Sequence, residues 1–121
     1  MLGEVRDRKA QLSVTFILPG MPDLSIEFVV DTGFAGFLTL PFAAVEVMRL
    51  PYEYTTLANL ANDQDVPVPV HRAKIRWHGQ EQEVRVLATG KRPLLGVALL
   101  ENAELFVQFV EGGVVRTEIL E

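Results

Sequence analysis

Apolar residues at every second position set the strongest constraint on this chain. In "AQLSVTFIL" Leu12, Val14, Phe16 and Leu18 alternate with small or polar residues. That period marks a strand with one face buried. "LSIEFVVD" (24–31) alternates in the same way and then turns wholly apolar, as a strand does when both faces are covered. "EVRVLAT" (83–89) repeats the pattern, and "LFVQFVEGGVVRTEIL" reads as a hairpin around Gly112 and Gly113. Turn clusters separate these runs: "PGMPD" (19–23), "HGQEQ" (78–82) and "GKRP" (90–93). The chain is predicted to be all-β.

Helices are few. Pro41 suits a first helical turn, and Pro51 ends a segment "PFAAVEVMRL" in which Phe42, Val45 and Leu50 share a face. "LLGVALLENAEL" (94–105) begins apolar and then predicts one short helix after Leu-Leu-Gly. "YEYTTLANLANDQDVPVPVHRAKIRW" (52–77) predicts a long hairpin with a polar tip at Asn62 to Asp65. Pro67 and Pro69 have the same parity, so their missing N–H groups lie on one side. That strand must be an edge or project from the body.

The 121 residues suit one domain, 1–121, and with 49% apolar residues a core is affordable. A net charge of −5 argues against a nucleic-acid surface and gives no support for an anionic membrane. With no cysteine, disulfides, thiol catalysis and cysteine–zinc sites are excluded. The first residues are charged and no apolar run is long enough to span a bilayer, so the expected location is the cytoplasm. His71 and His78 lack a second metal ligand at useful spacing. Trp77 reads as packing. Asp63 and Asp65 lack the glycine and closing glutamate of a calcium loop. "GKRP" lacks the remaining residues of a phosphate loop. No metal or organic cofactor is expected.

One stretch does not fit plain β architecture. "FVVDTGFAG" (28–36) carries Asp31 out of an apolar strand into a turn bracketed by glycines. A buried carboxylate is costly unless it is paired. Asp31 is therefore either turn or cap chemistry or reaction chemistry. About sixty residues later comes "PLLGVALL" (93–100). Asp-Thr-Gly after an apolar strand, a projecting hairpin, then Leu-Leu-Gly: in this order the chain resembles the retropepsin-like aspartic proteases. It is most similar to a small bacterial branch in which phenylalanine follows the glycine.

The resemblance covers nearly the whole chain. It implies a retropepsin-like closed β-barrel or sandwich with one or two short helices. It also implies an active site completed by homodimerisation, with the chain ends adding strands to the interface. Two carboxylates sharing one proton are needed, and the chain has a single Asp-Thr-Gly, so two copies must meet at Asp31. The implied catalytic residues are Asp31, Thr32 and Gly33. Those implied to meet a peptide substrate are Phe34, Phe37, Asn62, Asp63, Leu94 and Leu95, with the 52–77 hairpin as a flap. Gly96 is implied to let a following helix sit close beneath. Two positions depart from the family pattern. Phe34 stands where most relatives carry alanine or serine, which would narrow the first subsite. Val97 stands where retroviral members carry a bracing arginine. The alternative is a catalytically silent dimeric module that binds extended peptides by strand addition. The implied partners are a second copy and a peptide or protein, with neither nucleic acid nor membrane.

Overall fold

The computed structural model describes residues 1–59 and 62–121. These form ten strands and one helix. β1 (Leu2–Arg6) and β2 (Lys9–Ile17) make a tight hairpin. Its two turn residues, Asp7 and Arg8, both have positive φ, which matches the twist of the paired strands. β3 (Leu24–Val30) pairs back on β2, with Leu12 opposite Phe28 and Val14 opposite Ile26. The predicted alternation holds on β2: Leu12, Val14, Phe16 and Leu18 are all buried. The rings of Phe16 and Phe28 stack 6.0 Å apart at the centre of the core.

β4 (Leu38–Leu40) is buried at all three residues. It runs parallel to β7 (Gln80–Ala88) and antiparallel to β8 (Leu94–Leu95). β8 in turn lies parallel to β3. The full order adds β5 (Tyr52–Asn59), β6 (Asp65–Trp77), β9 (Ala103–Val107) and β10 (Val114–Ile119), giving β5-β6-β7-β4-β8-β3-β2-β1-β10-β9. β2 also pairs with β6, Thr15 opposite Arg76. That contact joins strands far apart in the order, so the sheet folds back on itself around one core. The fold is all-β, as expected.

Helix α1 spans Phe42–Met48 and stops at Arg49, whose φ of 54° is left-handed. Its inward residues are Val45 and Met48; Phe42, expected on that face, is exposed. The second predicted helix is absent. Residues 97–102 form a run of turns in which Leu99 N–H bonds the Gly96 carbonyl and Leu100 N–H bonds the Val97 carbonyl. The run ends at Asn102, whose φ of 62° is left-handed. The Val97 and Ala98 amides, which a helix starting here would leave without an internal partner, bond the carbonyls of Phe34 and Gly36.

The 52–77 segment is a long hairpin. From Val70 onward β6 pairs with β7, but Asp65 to Pro69 pair with β5 alone. The outer part therefore projects, on the side where Pro67 and Pro69 stand. Its base is anchored. Glu53 forms ion pairs with Arg85 and, at 3.6 Å, with Arg72. His71 Nδ1–H donates to the Leu50 carbonyl at 2.9 Å, and Tyr52 meets the His71 ring edge-on. The expected tip, Asn62 to Asp65, is exposed, and residues 60 and 61 before it lie outside the described residues. β1 has β2 on one edge and β10 on the other over Leu2 to Glu4, while Glu118 and Ile119 at the end of β10 pair with β9 alone. The tight turn at Asp7 and Arg8 folds β1 back into its own sheet, leaving β9 as the outer strand.

Candidate active site

Asp31 is the first residue after β3, and its position follows from the strand pairing. Val29 and Val30 lie opposite Leu94 and Leu95. The next amide, Asp31 N–H, continues the ladder to the Leu95 carbonyl at 2.9 Å. The backbone then turns: Phe34 N–H bonds the Asp31 carbonyl at 3.1 Å. Inside that turn Gly33 N–H donates to Asp31 Oδ1 at 2.9 Å, fixing the carboxylate's direction. A Cβ on Gly33 would stand 3.3 Å from Oδ1, a tight approach that glycine relieves. Asp31 is half-buried, while Thr32 and Gly33 are exposed. The carboxylate thus sits at the surface with one oxygen already oriented.

The loop from 31 to 37 is tied crosswise to residues 95–98. Gly96 N–H bonds the Phe37 carbonyl at 2.8 Å, Val97 N–H the Phe34 carbonyl at 2.9 Å, and Ala98 N–H the Gly36 carbonyl at 3.2 Å. Beneath, Thr39 Oγ1 accepts the Leu94 N–H at 3.2 Å. Thr39 is buried and was not singled out from sequence. Its only signal was a polar residue between two leucines of an apolar strand.

The structure brings part of the expected set together. Asp31, Thr32, Gly33, Phe34, Leu94 and Leu95 share this loop pair. Leu95, however, is fully buried and has no surface to offer a substrate; Leu94 is half-buried. Phe37 points elsewhere. It lines a cavity of about 550 Å³ with Trp77, His78, Leu99 and Ile119. Trp77 ends β6, at the opposite end from the hairpin tip, so Phe37 does not share a wall with the tip. Asn62 and Asp63 are exposed near that tip; Asn62 Oδ1 accepts the Gln64 N–H. Gly96 faces the loop rather than a helix. A Cβ there would fall 2.2 Å from the Gly36 carbonyl oxygen. Neither the 550 Å³ cavity nor a groove of about 250 Å³ beside Met48 and Arg72 is lined by Asp31. Among the described residues no group of three metal-ligating side chains occurs.

The all-β fold matches that of the retropepsin-like aspartic proteases, as two solved structures show. The EIAV protease complexed with the inhibitor HBY-793 is 16% identical with a TM-score of 0.58, over 78% of this chain and 88% of that one. A retropepsin-like aspartic protease from Rickettsia conorii is also 16% identical, with a TM-score of 0.54 over 98% and 94%. No protein-family model matches the chain, and no curated protein does. At such identity the likeness establishes the fold.

Proposed function

We propose that the chain, as a single domain over 1–121, is an aspartic endopeptidase that works as a homodimer. The observation that carries this reading is the Asp31 turn. A carboxylate is oriented by Gly33 N–H, held by a crossed loop, and left at an open surface beside exposed Thr32 and Gly33. One such carboxylate is half a site. Two, brought together by a two-fold axis, share one proton because like charges at ~3 Å do not both ionise.

The ionised carboxylate removes a proton from water, whose oxygen attacks the scissile carbonyl carbon. The protonated carboxylate donates to the carbonyl oxygen. Collapse of the tetrahedral intermediate breaks the C–N bond and sends a proton to the leaving amine. Thr32, exposed beside Asp31, is assigned to the contact between copies. The projecting hairpin with Asn62 and Asp63 is assigned to closure over an extended peptide, whose backbone it pairs. Leu94 supplies apolar surface beside the scissile bond. This reading needs no metal, cofactor, nucleic acid or membrane and places the enzyme in the cytoplasm. Among the described residues no helix is long and apolar enough to cross a membrane.

The test is hydrolysis of a diverse peptide library between pH 3 and 7, with light scattering in the presence of a transition-state-mimicking inhibitor. The wild type should cleave with a bell-shaped pH dependence and Asp31→Asn should be inactive. Cleavage that survives Asp31→Asn would overturn the reading. Peptide binding without cleavage by the wild type would favour the silent binding module.

A further inference from the structure

Phe34 was expected to face substrate, but its ring turns back. A Cβ built on Gly36 would lie 2.6 Å from Phe34 Cζ and 2.8 Å from Cε1. The three atoms nearest to that Cβ all belong to the Phe34 ring. A Cβ on Gly96 would lie 2.6 Å from Phe34 Cδ2. The ring therefore occupies space that a methyl group on either glycine would need. Gly36 does not have the left-handed φ found at Gly20, Gly79, Gly90 and Gly112. Its φ does not demand glycine, and the atoms a methyl there would meet first are those of the ring. Gly96 is glycine for two reasons, the ring and the carbonyl oxygens of Gly36 and Phe34 at 2.2 and 2.6 Å from the same Cβ.

We infer that Phe34 is a positioning residue for Asp31, its ring clamped on Gly36 and Gly96 so that the 31–37 loop is locked to residues 95–98. This rests on the endopeptidase reading for its catalytic meaning. The path is short. Phe34 N–H bonds the Asp31 carbonyl, and the Phe34 carbonyl accepts Val97 N–H. The preceding residue, Gly33, donates to Asp31 Oδ1. Fixing the Phe34 ring fixes its backbone, hence the Gly33 N–H, hence the carboxylate. Thr32 and Gly33 are exposed and supply no such anchor. The position after Asp-Thr-Gly thus holds the loop from within.

The experiment combines peptide kinetics with hydrogen exchange on Phe34→Ala, Phe34→Leu, Gly36→Ala and the Phe34→Ala/Gly36→Ala double variant. Phe34→Ala should lower kcat by about 10- to 100-fold, the cost of misplacing a catalytic group by about 1 Å. KM should stay within about twofold, since substrate contacts are kept. Phe34→Leu, which refills the slot, should recover most of kcat. Gly36→Ala alone should lower kcat because its methyl expels the ring. In the double variant the methyl meets no ring, so kcat should be no lower than in Phe34→Ala. Losses that multiply in the double variant would overturn the clamp, as would a KM-only effect in Phe34→Ala. Exchange decides the matter even if the chain proves not to be a protease. The Val97 and Ala98 amides should exchange faster in Phe34→Ala while Phe28 in β3 does not change. Unchanged Val97 and Ala98 exchange, or an even rise throughout the chain, would overturn it.

Discussion

The crossed loop at Asp31 and the projecting hairpin at Pro67 use backbone hydrogen bonds in opposite ways. In the loop, amides 96, 97 and 98 each reach a carbonyl of residues 34–37 across some sixty residues of sequence. The loop stands on buried Leu38, Leu40 and Leu95. In the hairpin, Asp65 to Pro69 have one neighbour strand, and two of those five residues are prolines. Leu57, opposite Pro67, is 65% exposed. Local stability follows the density of buried contacts and satisfied backbone groups. One region is built to hold geometry, the other to move while its base stays pinned by Glu53, Arg72, Arg85 and His71.

The largest expected effect strikes the rigid side. Gly96→Ala places a methyl against two backbone oxygens that side-chain motion cannot relieve. It should cost about 3 kcal/mol, the upper end for overpacking. Leu57→Ala, on the outer hairpin, should change stability by no more than about 0.5 kcal/mol. Urea denaturation of both variants measures the contrast, and equal losses would erase it.

Hydrogen exchange sharpens the comparison without mutation. The Val66 and Val68 amides should exchange much faster than those of Asp31 and Gly96. They should slow when a peptide analogue binds, while the loop amides hardly change. Equal protection in hairpin and loop would show that the prolines leave the hairpin as well held as the core.

The smallest effect lies away from both, at His78. Burial first, then the N-terminal ammonium, hold its imidazole below the usual histidine value, with Glu118 pulling the other way. Its Nε2 bonds the hydroxyl of buried Thr117 at 2.9 Å. The fold thus favours the neutral ring, and the unfolded chain takes up more protons near pH 6. Stability from this group is fully present above about 6.5, the unfolded value, and is lost as pH falls through the lower folded value. His78→Gln should flatten the melting temperature between pH 7.5 and 5, and an identical slope in wild type and variant would exclude His78 as its source. The Asp31 loop and the hairpin should keep their exchange contrast across that range.

Much of this was legible in the residues. Alternation placed β2, β3 and β7 because one buried face forces period two, whatever the tertiary partners are. The Asp-Thr-Gly and Leu-Leu-Gly stretches were visible because each carries a glycine at a close approach, Gly33 to the Asp31 carboxylate and Gly96 to the 34–36 loop. Less visible was which chain approaches. Gly96 meets the Phe34 loop and not a helix, and "VALLEN" forms a run of turns that stops at the left-handed Asn102. Phe37 and Leu95 are apolar in sequence whichever way they face, so periodicity could not separate core from substrate wall.

Local residue patterns suffice to make the chain all-β, to set one helix between Pro41 and Pro51, and to end an apolar strand at Asp31 in a tight turn. These depend on local period, proline and glycine, which act over a few residues. Long-range contacts set the rest: β8 between β3 and β4, β1 paired within its own sheet, and the Phe34 ring on Gly36 and Gly96. Such contacts join residues distant in sequence, and their energies arise from close packing and shared hydrogen bonds that no single stretch of chain contains.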